Sequence, residues 1–160
     1  MKRYTAHAAH AAHAAHAVLA LALGLAAALA HAQATPVGLW KTIDDETKKE
    51  KSLIRLTESG GVITGKLEKL LDPATQQDAV CAKCTDERKD KPLLGMTLVK
   101  GVKHHEADKG LWDGGEILDP NNGKVYKVRL VPKDDGKKLD VRGYIGMPIL
   151  GRTQTWIRVE

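Results

Sequence analysis

The sequence predicts a single all-β domain: antiparallel, with about eight strands closed into a barrel or packed as a sandwich. Three observations carry this. Past position 34 the apolar residues recur at alternate positions, and no window of ten or more residues shows a helical apolar stripe. Turn signals rich in Gly, Asn, Asp and Pro break the chain at short intervals. The chain has 160 residues, 42% of them hydrophobic and 28% charged, which suits one folded domain and not a disordered chain. A closed barrel has no free edges, and that favours it in a chain with no Phe and few large core residues. The core must then lean on Leu, Ile, Val and three tryptophans, Trp40, Trp112 and Trp156.

Each strand is readable in order. Val37 to Ile43 carries Val37, Leu39 and Ile43 at odd positions and Trp40 at an even one. Ser52 to Thr57 is a short strand, and Glu58-Ser59-Gly60-Gly61 turns the chain into Val62 to Leu71. Residues 72–92 are polar and read as a long loop with at most one turn of helix. Met96 to Lys103 and Leu111 to Leu118 are the fourth and fifth strands. Asp119-Pro120-Asn121-Asn122-Gly123 is a strong turn, leading into Lys124 to Val131. There Tyr126, Val128 and Leu130 share one face. Lys133-Asp134-Asp135-Gly136 turns into a strand with Leu139, Val141 and Ile145 on one side. The last strand runs from about Arg152 to Val159. Leu-Asp-Pro recurs at 71–73 and 118–120, and Pro-apolar-apolar-Gly at 92–95 and 148–151. The two offsets differ, which argues for a reused turn and against a simple tandem repeat.

The first 34 residues read as an address. Lys2 and Arg3 are followed by an uncharged run, Val18 to Ala30, and by Ala30-His31-Ala32 and Ala32-Gln33-Ala34. A basic start, a short apolar core and Ala-x-Ala make a cleaved, helical signal peptide, with cleavage near Ala32 or Ala34. The run falls short of the roughly 20 residues that span a bilayer. A periplasmic or secreted protein is expected, with residues 35–160 as its single domain and no transmembrane segment after processing. His7, His10, His13 and His16 read as a low-complexity Ala-His run in a disposable segment. Removing Lys2 and Arg3 lowers the net charge from +5 to +3, spread over a mixed surface. Nucleic-acid binding has no support beyond that.

Several motifs resemble a known family. They are Gly38-Leu39-Trp40-Lys41-Thr42-Ile43-Asp44-Asp45, Lys69-Leu70-Leu71-Asp72-Pro73, Cys81-Ala82-Lys83-Cys84, Leu94-Gly95-Met96 and Ile117-Leu118-Asp119-Pro120. The closing run Val141-Arg142-Gly143-Tyr144-Ile145-Gly146 through Gly151-Arg152-Thr153-Gln154-Thr155-Trp156 is the most specific. Together they resemble the exported bacterial proteins catalogued as domain of unknown function 2147. The resemblance implies a single exported β domain and no established activity. A second resemblance is to lipocalin-like (calycin-type) β-barrels, through Gly38-x-Trp40 on the first strand. It implies that an Arg of the last strand, Arg158 or Arg152, packs over the Trp and closes one barrel end.

Few residues here specify a reaction. Cys81 and Cys84 are the only cysteines, and in an exported chain they are expected to pair as a staple on the 72–92 loop. A redox role would need a helix after a strand, and a zinc site two more ligands; the flanks offer neither. His104-His105-Glu106-x-Asp108 reads as a solvated hairpin tip. Asp119, Asn121 and Gly123 miss the calcium-loop spacing, because the twelfth position is Leu130. No metal or cofactor is implied.

The most suggestive set is C-terminal. Arg142 and Tyr144 share a face of one strand, and Arg152, Gln154, Trp156 and Arg158 share a face of the next. If these faces point inward, they line a cavity with Arg142, Tyr144, Arg152, Gln154 and Trp156, to which Tyr126 adds a further ring. Such a lining suits a small ligand with an anionic end and an apolar body. Alternatively the arginines cap Trp rings or meet acids. Strand periodicity leaves open which face is inside. The leading expectation is a non-enzymatic binder of a small molecule or envelope component. Two alternatives are a module binding an envelope protein partner through the disulfide-held 72–92 loop, and an enzyme acting on envelope material.

Overall fold

The computed structural model describes residues 34–160, and the expected leader lies outside them save for Ala34. The chain forms eight strands: β1 (Gly38–Ile43), β2 (Glu50–Ser59), β3 (Val62–Leu70), β4 (Thr97–His104), β5 (Trp112–Asp119), β6 (Lys124–Lys133), β7 (Lys138–Tyr144) and β8 (Arg152–Arg158). Each pairs antiparallel with the next, and β8 returns to β1, so the sheet closes into a barrel. This is the all-β, lipocalin-like architecture the sequence predicts, and the sandwich is set aside. Gly60 and Gly61 hold the β2–β3 turn at φ +58° and +76°, a region that glycine reaches without steric cost.

The period-two pattern explains the core. Trp40, Ile54, Leu56, Ile63, Leu67, Val99, Val102, Val128, Leu130, Leu139, Val141 and Trp156 are all buried in one cluster. Opposed residues of an antiparallel pair share a side, so each buried residue fixes the orientation of its partners. Space is tight in a chain with no Phe: a Cβ on Gly65 would lie 2.5 Å from Leu56 Cδ2 and 3.0 Å from Val99 Cβ. All three tryptophans are in the core, at 0%, 6% and 2% exposure for Trp40, Trp112 and Trp156.

One barrel end gathers the N-terminal approach to β1, the end of β8 and the β6–β7 turn. Arg158 lies over the Trp40 ring, 4.2 Å from its centroid. Its guanidinium donates to the carbonyls of Thr35 at 2.6 Å and Val37 at 2.8 Å, and its Nε to Gly136 O. Trp40 Nε1 donates to Pro36 O at 2.7 Å. Burial pushes the Arg158 pKa below its ordinary value, and three carbonyls supply the compensating acceptors. Of the two arginines named by the lipocalin resemblance, Arg158 makes this closure.

The segment between β3 and β4 contains turns and a Val80–Pro92 bridge, with no helix. The Cys81–Cys84 disulfide forms as expected and is buried. Cys81 N donates to Lys91 O and Asp90 N to Cys81 O, so the disulfide sits inside a hydrogen-bonded loop. Arg88 reaches Thr97 O and Asp86, and its hydrogen bonds lower the Asp86 pKa to about 2. Cys81, Cys84, Leu93 and Met96 join the core cluster. Gly123 of the β5–β6 turn packs so closely here that a Cβ would meet Lys83 O at 1.8 Å. The loop is thus a fixed flap laid against the barrel.

Arg158→Lys removes the fork that serves three carbonyls while keeping the charge, and it is expected to cost about 2–3 kcal/mol. Urea unfolding of the two proteins measures this; a cost near zero would dissociate the closure from Arg158. Replacing Cys81 and Cys84 together with Ser is expected to cost about 2 kcal/mol from chain entropy, read from the same transition.

Candidate functional site

The opposite end of the barrel is built differently. β1 and β8 pair only at Trp40–Arg158 and Lys41–Ile157, next to the closed end. Beyond those pairs the two strands part, and the gap is crossed by an ion pair, Arg152 Nη2 to Asp45 Oδ2 at 2.6 Å. Next to Asp45, Asp44 accepts the backbone N–H and the hydroxyl of Thr47, which hold its carboxyl down to about 2. That turn fixes where Asp45 stands.

The inner wall near this mouth is polar. Thr42 and Ser52 oppose each other on β1 and β2, both 8% exposed, with their hydroxyl oxygens 2.8 Å apart. Gln154 opposes the buried Val141 and so faces inward, half-buried. Tyr126 opposes Ile117, which opposes the buried Val99, and so also faces inward. A Cβ on Gly143 would lie 3.5 Å from Tyr126 Cβ and 3.8 Å from Ile117 Cγ2, ordinary packing distances, so the three residues adjoin on the inner side. The Tyr126 hydroxyl reaches the rim, where Asn122 Nδ2 donates to it at 3.0 Å.

Trp156, opposite Leu139 and two positions from Arg158, lies deeper on the inner side, toward the closed end. Its ring is 2% exposed, yet its Nε1 has no hydrogen-bond partner. Trp40, equally buried, has one. An unmade hydrogen bond at a buried indole costs on the order of 1–3 kcal/mol. The fold leaves this donor unspent on the inner side of the barrel, where Trp156 opposes Leu139.

The six residues singled out from the sequence do not converge. Tyr126, Arg152, Gln154 and Trp156 belong to the inner side. Arg142 and Tyr144 stand on the outer wall, because Arg142 opposes Thr153 and not Arg152 or Gln154. The β7–β8 register decides this, and a shift of one residue reverses it. Outside, Arg142 donates to Thr153 Oγ1 at 2.7 Å, Pro148 O at 2.7 Å and Ile149 O at 3.1 Å. Arg129 lies 5.9 Å from the Tyr144 ring centroid. Tyr144 also borders a groove of about 730 Å³ on the outer wall, with Lys100, Gly101, Glu116 and Lys127.

Thr42, Ser52 and Asp45 were not legible as mouth residues. Their one signal is that Thr42 follows Trp40 by two positions and so shares its face. His104 stacks edge-on against Trp112 with centroids 4.8 Å apart, and His105 Nδ1 accepts from Asp108 N. That is a folded hairpin tip. Among the described residues no group of three His, Cys, Asp or Glu comes together to hold a metal ion, and no helix is long and apolar enough to cross a membrane.

Three comparisons bear on identity. A family model described as "Uncharacterized protein conserved in bacteria (DUF2147)" matches residues 38–158. No functionally curated protein matches the chain. Among solved structures, protein HP1028 from Helicobacter pylori, described as belonging to the lipocalin family, is similar with a TM-score of 0.68. The match is 18% identical and covers 80% of this chain and 85% of that one, and so shows a shared barrel fold. The family match runs from the first strand to the last residue of the eighth, through both the closed end and the mouth, and the chain belongs to the DUF2147 family of uncharacterised bacterial proteins.

Proposed function

We propose that this protein is an exported binder of a small amphipathic molecule, which it takes at the open mouth of the barrel. The observation that carries the reading is the Trp156 indole N–H, buried and unpartnered on the inner wall. A ligand with an acceptor at one end, a carboxylate or carbonyl, would satisfy that N–H. Gln154 supplies a second donor from the same strand. Thr42 and Ser52 offer hydroxyls that re-orient to donate or accept. The ligand's apolar body would lie against Ile117 and the Tyr126 ring, which adjoin Gly143. Arg152 at the rim is paired with Asp45, so an anionic end would compete with Asp45 for it.

The similarity to a lipocalin-family protein supports this reading at the level of fold alone. Export rests on the leader: a basic start, a short apolar run and Ala-x-Ala, ahead of a domain that begins at the expected cleavage region. The disulfide fits the oxidising compartment such a leader would reach.

Native mass spectrometry of protein released from the periplasm tests both parts. The expected species is the chain from about residue 33 or 35 onward, carrying a discrete mass excess that vanishes on denaturation. Trp156→Phe keeps the ring and removes the N–H, and is expected to weaken retention roughly tenfold, about 1.4 kcal/mol. A bare mature mass, with no change in tryptophan emission on adding medium-chain fatty acids, would refute the binder. An unprocessed chain recovered from the cytoplasm would refute export.

A further inference from the structure

We infer that the β7–β8 loop is a lipid-docking tip, which seats the open end of the barrel on an anionic membrane surface. Ile145, Met147, Ile149 and Leu150 are 65%, 62%, 79% and 76% exposed. The other exposed large apolar residues among those described, Val80, Leu94, Val125 and Val159, stand apart from one another in sequence. Four such side chains within six positions are a concentrated apolar point, of the kind that marks an interaction site.

The tip is built, not loose. Pro148–Leu150 is a short 3-10 turn, with Leu150 N donating to Met147 O and Gly151 N to Pro148 O. Arg142 reaches up from β7 and donates to Pro148 O and Ile149 O. The loop's backbone is satisfied from beneath while its apolar side chains point away. Their conformational ordering is therefore complete before any partner arrives, which removes an entropic cost of docking.

Charge and size select the occupant. Of the three arginines between Val141 and Val159, Arg158 sits at the closed end and Arg152 pairs with Asp45, which leaves Arg142 to the tip. Arg142 is held by carbonyls and a hydroxyl, none of which neutralises it, so a positive charge sits directly under the apolar tip. Tyr144, half-buried, precedes Ile145 and adds an amphipathic ring at that level. Apolar tip, aromatic collar and basic base form the order met on crossing from hydrocarbon to headgroups. A second protein is a poor fit, since stable protein interfaces use about 20–30 residues a side and shape complementarity. A lipid interface asks for neither. The inference stands on exposed residues alone and holds whether or not the barrel takes a ligand.

The test is co-sedimentation of the purified mature protein with vesicles of phosphatidylcholine, and of phosphatidylcholine with phosphatidylglycerol in equal parts, over a salt series. Binding to the anionic vesicles is expected, weakening as salt rises. Ile149→Ser with Leu150→Ser is expected to lower the partition coefficient roughly tenfold or more while leaving the unfolding transition in place. Met147→Ser alone, at a position equally free of core contacts, is expected to lower it less and serves as the second check. No binding by the unaltered protein, or binding that these variants leave unchanged, overturns the inference. Self-association that the double variant abolishes, with vesicles left unbound, assigns the tip to a second copy and overturns it as well.

Discussion

The Arg158–Trp40 stack is the interaction on which the rest of the molecule depends. Two strand pairs, Trp40–Arg158 and Lys41–Ile157, with the bonds from Leu39 N to Glu160 O and from Val159 N to Leu39 O beside them, are a short backbone seam to close a barrel. The closure holds because one guanidinium ties together three separate stretches of chain: the approach to β1 through Thr35 and Val37, the β6–β7 turn through Gly136, and β8 itself. The flat cation also covers the ring from which β1 hangs. A partly desolvated charge carries a cost, and this one is offset because the guanidinium meets a carbonyl at Thr35, Val37 and Gly136. Gly38 is bound into the same arrangement: a Cβ there would lie 2.4 Å from Arg158 Nη1. Gly38-x-Trp40 therefore works as a unit, glycine to admit the guanidinium and tryptophan to receive it.

Closing one end this firmly leaves the other free to differ. β1 and β8 part after two pairs, and the mouth is spanned by side chains, Asp45 and Arg152, in place of ladder hydrogen bonds. Hydrophobic burial is concentrated toward the closed end and mid-barrel, where Trp40, Leu130, Leu139 and Trp156 are at most 2% exposed. The polar inner residues, Thr42, Ser52 and Gln154, cluster at the other end. The disulfide-held flap adds core residues from outside near the β5–β6 turn, a supplement that a chain without Phe can use.

The fold was legible in the sequence because period-two alternation and Gly-Asn-Asp-Pro turns are local signals, and this chain has both at nearly every boundary. Eight strands were expected and eight form. The disulfide was legible for the same reason, from two cysteines three apart in a chain whose first residues read as an export leader. The site was only half legible. Gln154, Trp156 and Arg152 could be placed on one face of β8, and Arg142 and Tyr144 on one face of β7, but not the two faces on one side. That relation is fixed by the turn at residues 145–151, whose geometry follows from Arg142 gripping Pro148 and Ile149. A contact between a strand and the loop that follows it leaves no periodic trace. The second Pro-apolar-apolar-Gly stretch, which reads as a reused turn, is a 3-10 turn that displays its apolar residues.

At the mouth, the usual rule of apolar inside and polar outside is reversed on both counts. Hydroxyls and an amide face in, while Ile145, Met147, Ile149 and Leu150 face out. One register explains both halves. Setting Arg142 opposite Thr153 turns Gln154 and Trp156 inward and leaves the guanidinium outside, where the nearest acceptors are the loop's own carbonyls. The loop is then held from below, its backbone is spent on Arg142, and its side chains have nowhere to go but solvent. Had β7 and β8 paired one residue away, Arg142 would have entered the barrel, and nothing would have supported the loop. The inner polar wall and the outer apolar tip are consequences of a single choice of pairing, so a substitution that slips this register would remove both together.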